Sequence, residues 1–323
     1  MIFIMLGTDG LHRKINFFQT NIKNCTLHST LRPSMKKYRI ISEIPPSINV
    51  DGNLITFDTP KVMGIINATP DSFHSISRVS SVDEALRLAS KMVEEGAEFL
   101  DVGGCSTRPG SEPPTLENEW ERIKDIIPAL RREFPRVIIS VDTYRSEIAE
   151  RSIAAGAQMI NDISGGTLDP KIFQTVARLQ VPYVLSHLKG TPKTMQQDPQ
   201  YQDLIGDIYR YFTERISKVR DAGINDIILD PGFGFGKTLQ HNFAILKNLH
   251  IFQDFAMPVM VGISRKSMIH KALHITPEEA LNGTTALHMV ALQAGVHLLR
   301  VHDVKEAIQT IKLYELIKNS DIS

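Results

Sequence analysis

From Val62 onward the chain repeats one pattern eight times: a short apolar run, a polar segment, then a longer amphipathic stretch. The runs lie at 62–66, 98–102, 137–141, 158–160, 182–186, 226–229, 259–262 and 297–301. Their length and bounding turn residues suit buried strands. The stretches between them carry apolar residues at three- and four-residue spacing, as Ile123, Ile126, Ile127 and Leu130 do, which is the helical period. Gly96 and Gly156 stand where helices over 82–95 and up to 155 would end. The remaining helices are expected at 116–133, 169–179, 202–222, 241–249, up to 293 and up to 318. Uniform strand–helix alternation implies a parallel sheet with helices outside it. Eight such units in about 250 residues match a (β/α)8 TIM barrel. An open doubly wound sheet would normally show a Gly-rich fingerprint after its first strand; here Asn67-Ala68-Thr69-Pro70-Asp71 follows.

Ahead of the barrel, INVDGNLITFD alternates around Asp51-Gly52 and predicts a short N-terminal β-hairpin. Residues 1–34 show neither period. The expected organisation is an extension with little structure over 1–46 and one barrel domain over 47–323.

Lys+Arg and Asp+Glu both number 36. This balance provides no overall basic field for nucleic acid, so anion binding must come from local clusters. No apolar run approaches the roughly 20 residues of a membrane span. The opening MIFIMLGTDG is apolar too briefly for a signal-peptide core. Two cysteines, Cys25 and Cys105, in 323 residues suit a reducing cytoplasm, with Cys105 read as an unreactive thiol. Neither an HExxH motif nor paired Cys or His spacing indicates a zinc cage.

Barrel sites gather at the C-terminal ends of the strands. The segments there carry Asn67, Asp71 and Phe73; Asp101 with Gly103 to Gly110; Asp142 to Arg145; Asn161-Asp162; His187; Asp230 with Gly232 to Lys237; Ser264 to Ser267; and Arg300, His302 and Asp303. Any one of these has an ordinary reading as a cap, a turn or solvated surface. Eight on one rim point to a site. Asp101, Asp142, Asn161 and Asp230 suit a neutral ligand with many N–H donors, because a carboxylate can accept two parallel bonds from a guanidine-like ring edge. Arg108, Lys266, Arg300 and His302 suit a phosphate or diphosphate. Such an anion favours Mg2+, which needs few protein ligands, and Asn67 is placed to be one.

MGIINATPDSF (63–73) and FLDVGGCSTRPG (99–110) resemble the paired signatures of the dihydropteroate synthase family. SVDTYR, NDISGG, HLKGTPKTMQ, LDPGFGFGK, GISRKS and RVHDV extend the likeness in order, over about 50–318. The resemblance implies condensation of 6-hydroxymethyl-7,8-dihydropterin diphosphate with 4-aminobenzoate, a folate-pathway reaction inhibited by sulfonamides that mimic the second substrate. It also implies Mg2+ and a homodimer. By resemblance Asn67 is on the metal and diphosphate side. Asp142, Asn161, Asp230 and Lys266 line the pterin pocket, and Arg300 and His302 the diphosphate pocket. Thr107, Arg108, Pro109, Phe235 and Ser264 surround the aminobenzoate, while Asp71 and Phe73 lie on the first loop. Catalysis would rest on Asp142, Lys266, Arg300 and His302.

The chain departs from the family pattern in places. His74-Ser75-Ile76-Ser77 replaces an Asp-Gly-Gly continuation, Cys105 a polar residue, Ser186 a Met near the pterin, and Ala68 a larger aliphatic. The altered first loop motivates one alternative, a pterin-binding paralogue with little catalysis. A second is a barrel that transfers a methyl group from a methyl-folate to a corrinoid protein; it would have no use for the cations of 264–266 and 300–302.

Overall fold

Eight strands pair in parallel in the order β8-β7-β6-β5-β4-β3-β10-β9. They are β3 (Lys61–Asn67), β4 (Phe99–Gly103), β5 (Ile138–Asp142), β6 (Met159–Asp162), β7 (Tyr183–Ser186), β8 (Ile227–Asp230), β9 (Met260–Val261) and β10 (Leu298–Val301). A parallel bridge between Leu229 and Val259 joins the two ends of the sheet, so the barrel is nearly closed. This computed structural model describes residues 45–69, 77–105 and 112–320. They belong to one unit spanning Ser42–Ser323. The expected extension over 1–46 lies outside them except for its last two residues.

Side-chain alternation along the strands separates two cores. Outward residues such as Val62, Leu100, Ile139, Ile160, Leu185, Leu229, Val261 and Leu299 pack beneath the surrounding helices. Inward residues Met63, Phe99, Ile138, Met159, Val184, Ile228, Met260 and Leu298, one from each strand, fill the lower barrel. Ile48, Val50 and Phe57 join this inner cluster. They come from the expected hairpin, β1 (Ser47–Val50) and β2 (Asn53–Thr56), and from the residue after it. Its two turn residues, Asp51 (φ 50°) and Gly52 (φ 81°), are both left-handed, as a tight hairpin turn requires.

The helices are α1 (Val82–Glu94), α2 (Leu116–Ile123), α3 (Ile126–Glu133), α4 (Ser146–Ala154), α5 (Ile172–Leu179), α6 (Leu204–Asp221), α7 (Leu239–Lys247), α8 (Ser267–Leu273), α9 (Leu281–Gln293) and α10 (Val304–Lys318). The single helix expected over 116–133 is two. Pro128 lacks the N–H that would bond the Lys124 carbonyl, and its ring crowds that carbonyl, so the chain breaks at Lys124-Asp125. The fourth strand also runs further than expected: Asn161 and Asp162 pair with Val184 and Leu185 and so belong to β6. Among the described residues no helix is long and apolar enough to cross a membrane.

Candidate active site

Two residues beyond each inner-core residue, the inward position changes character. It is occupied by Ile65, Asp101, Ser140, Asn161, Ser186, Asp230, Gly262 and Arg300. Asn67, Gly103 and Asp142 follow two residues further along their strands. Strand periodicity therefore brings the acids and amides expected from the sequence into one ring at the C-terminal mouth.

Arg300 ties this ring together. Its Nε donates to Asp101 Oδ2 at 2.6 Å and its Nη2 to Asp142 Oδ2 at 2.7 Å. Asn161 Nδ2 donates to the same Asp101 oxygen at 2.9 Å. The resemblance places Arg300 toward a diphosphate; in this structure its guanidinium bridges the acidic floor. Burial pushes the Asp142 carboxyl up to about 7, against the opposing pull of Arg300. Burial raises Asp230 too, with Lys266 opposing, and lowers Lys266 to about 8, with Asp230 opposing. Lys266 Nζ donates to the Phe233 carbonyl and lies 4.4 Å from the centre of the Phe235 ring.

Four buried oxygens of the ring, Asp101 Oδ1, Ser140 Oγ, Asn161 Oδ1 and Ser186 Oγ, find no hydrogen-bond partner among the described residues. Folded chains seldom leave such groups unpaired. Their concentration at one mouth marks a place shaped for a polar ligand.

Ser264 and His302 sit together on the far side, with Ser264 Oγ 3.3 Å from both the backbone N and Nδ1 of His302. Arg265 departs from its expected place in the cation cluster. Its Nε and Nη2 clasp Asp303 at 2.7 and 2.9 Å, and Nη1 donates to the carbonyls of Pro277 and Glu278. Its left-handed backbone (φ 53°) accompanies this turn of the guanidinium away from the mouth.

Asn67 Nδ2 donates to the buried Ser77 Oγ at 3.1 Å. A Cβ added at Gly103 would lie 3.7 Å from Asn67 Oδ1 and 3.9 Å from Asp142 Oδ2, so glycine leaves a small space edged by two oxygens. Oxygen donors of this kind suit Mg2+. Among the described residues no group of three His, Cys, Asp or Glu forms a metal cluster. A cation here would take most of its ligands from water or a bound anion. Asp71, Phe73, Thr107, Arg108 and Pro109 lie outside the described residues. Burial pushes the Cys105 thiol up to about 12, in keeping with an unreactive cysteine.

A family model described as pterin binding enzyme matches residues 63–302. The dihydropteroate synthase of Escherichia coli (strain K12) is 41% identical over 266 residues, covering 82% of this chain and 94% of the relative. The chain belongs to the dihydropteroate synthase family. Two solved dihydropteroate synthases superpose closely. The Yersinia pestis enzyme with a sulfonamide drug gives a TM-score of 0.81 at 38% identity, covering 85% of this chain and 100% of that one. The Xanthomonas albilineans enzyme with 4-aminobenzoic acid gives 0.79 at 36%, covering 86% and 100%.

Beyond the residues expected for a dihydropteroate synthase, the structure adds two buried titratable side chains, Lys237 and Glu119. Lys237 Nζ lies 2.9 Å from His187 Nδ1, 2.8 Å from the Gly232 carbonyl and 3.0 Å from the Phe235 carbonyl. It clamps the loop whose Phe233 carbonyl receives Lys266. That loop needs its glycines: a Cβ at Gly232 would meet the His187 carbonyl at 2.0 Å, and one at Gly236 the Lys189 carbonyl at 2.3 Å. Glu119, on α2, accepts from Thr143 Oγ1 at 2.7 Å and from Arg145 Nη1 at 2.8 Å. A legible signal existed for Glu119, which shares the buried stripe of α2 with Ile123 four residues on. Lys237 gave no such signal, because its partners come from two loops.

Proposed function

We infer that this chain joins 6-hydroxymethyl-7,8-dihydropterin diphosphate to 4-aminobenzoate, releasing 7,8-dihydropteroate and diphosphate. The observation that carries the reading is the ring of acceptors around Arg300, four of its oxygens still unpaired, with Lys266 beside it. A pterin presents a flat edge of N–H donors, and Asp142, Asn161 and Asp230 present carboxylate and amide acceptors to it. Lys266 and His302 add positive charge or N–H donors where a diphosphate would lie, and Arg300, held on Asp101 and Asp142, would offer it only the N–H groups those two carboxylates leave over. Thr107, Arg108, Pro109, Phe235 and Ser264 would surround the aminobenzoate, with Asp71 and Phe73 on the first loop.

The reaction breaks the methylene C–O bond to diphosphate and forms a C–N bond from the arylamine. The amine then loses a proton to solvent. Positive charge that develops at the methylene spreads into the pterin ring, where the Asp142 carboxylate stabilises it. Lys266 neutralises charge on the departing anion. The arylamine is neutral near pH 7, so positioning and electrostatics supply most of the rate. Asn67 would hold Mg2+ through its amide oxygen, and the ion, when bound, supplies charge neutralisation to the diphosphate. Five exposed apolar side chains on α8, α9 and α10, Leu273, Val290, Leu313, Leu316 and Ile317, support a homodimer built on these helices. Two cysteines in 323 residues favour cytoplasmic residence.

The test is a steady-state assay with Mg2+ and both substrates, following diphosphate and dihydropteroate together. Equal amounts of the two are expected. Saturable binding of the pterin diphosphate without product would instead favour a non-catalytic pterin-binding protein and implicate residues 74–77.

A further inference from the structure

Ser186 closes β7 and is fully buried, yet its Oγ has no hydrogen-bond partner among the described residues. Its backbone is held from behind. Tyr211 donates its hydroxyl to the Ser186 carbonyl at 2.7 Å, and a Cβ at Gly165 would meet that carbonyl at 2.6 Å. Tyr183 and Leu185 belong to the outer core and Val184 to the inner one, so alternation aims Ser186 into the barrel mouth. Parallel pairing sets it beside Asp230, and on its other flank β6 carries Asn161. Ser140 has the other unpaired hydroxyl of the ring, but Asp142 follows it on the same face of the same strand, whereas β7 ends at Ser186.

A buried hydroxyl that has given up water without gaining a partner is unfavourable and uncommon. The residues around it indicate what it meets. Asn161 Oδ1 is likewise unpaired, and Asp230 offers a carboxylate oxygen, so three acceptors stand on three consecutive strands. Strands lie about 4.8 Å apart, which makes the arc about 10 Å across, the scale of a fused two-ring heterocycle. Its chemistry matches a ring edge that only donates. On such an edge a primary amino group is the donor able to serve two acceptors at once.

Resting on the dihydropteroate synthase reading, we propose that Ser186 is a specificity-determining residue for the pterin, its Oγ accepting a hydrogen bond from the exocyclic 2-amino group between Asn161 and Asp230. The site thereby distinguishes pterins from pteridines without that amino group.

The experiment is a calorimetric cycle on the full chain with Mg2+. Wild type and Ser186→Ala are each titrated with the pterin diphosphate and with the matching pteridin-4-one diphosphate that lacks the 2-amino group. One neutral hydrogen bond corresponds to about three- to tenfold in Kd. Ser186→Ala should weaken the pterin by that factor and leave the deamino ligand unchanged. Ser186→Cys, similar in size but a poor acceptor, should shift the pterin in the same direction, and it stands in if the alanine variant does not fold. Equal effects on both ligands, or none on either, overturn the role of Ser186 while leaving the pterin site intact. Failure of the wild type to bind the pterin diphosphate overturns the underlying reading and the Ser186 role with it.

Discussion

Lys237 Nζ lies 2.9 Å from Nδ1 of His187, and both side chains are buried. Burial holds the imidazole well below its usual range, with the Lys237 charge adding to the effect. The ring is therefore neutral; burial pushes Lys237 well below the usual lysine range too, with Asp230 opposing, so the pair shares a hydrogen bond rather than two charges. Because the folded state resists protonation of His187, this group's contribution to stability is full above about 6.5 and falls as pH drops below it. Between pH 7 and pH 5 the raised Asp142 acts in the opposite direction, so the check is a difference: on going from pH 7 to pH 5, His187→Gln should lose less unfolding temperature, or gain more, than the wild type. Lys237→Met leaves the carbonyls of Gly232 and Phe235 without their donor. It should cost about 1–3 kcal/mol in urea unfolding for each acceptor stranded, and it should raise KM for the pterin diphosphate because Lys266 leans on the same loop.

Removing Arg300 strands Asp101 and Asp142 in a buried setting. Arg300→Met should destabilise the ligand-free chain by about 3–5 kcal/mol. Adding Asp142→Asn should recover part of that loss. If the single variant unfolds at the wild-type urea midpoint, the bridge does not hold the floor together.

Asp142 titrates near 7 and Lys266 near 8. An ionised Asp142 and a protonated Lys266 are both required by the charge argument. The pH profile of kcat/KM should then rise through about 7 and fall through about 8. Asp142→Asn should remove the acidic limb and Lys266→Met the basic one. For stability the signs oppose. The folded state holds the Asp142 proton between 3.8 and about 7, so this group's contribution to the stability of the ligand-free chain falls as pH rises across that window. Lys266, depressed from 10.5 to about 8, makes stability rise with pH between those values.

Asn67 turns its amide oxygen toward the space at Gly103 because Ser77 occupies its Nδ2. Asn67→Ala should increase the Mg2+ concentration needed for half-maximal turnover about tenfold, with little change in unfolding temperature. Ser77→Ala should shift it in the same direction by less. An unchanged Mg2+ titration would remove Asn67 from the cation site.

Much of this protein is determined along the chain itself. Strand length, helical spacing and the Asp51-Gly52 turn are local properties, and they specify eight strand–helix units and a hairpin ahead of them. The two-residue period of a strand likewise determines that Asp101, Asn161, Asp230 and Arg300 share one face with the inner core. Which of these groups pair was decided only by closure of the barrel. Arg300 meets Asp101 across 199 positions of sequence, and Arg265, its equal in charge, pairs with Asp303, 38 positions away. Lys237 looked like the end of a glycine loop until folding brought His187 against it. Charge, spacing and periodicity are carried by neighbours in sequence; burial and pairing come from segments far apart, so the same lysine or arginine is a ligand group or an internal clamp according to what the fold places beside it.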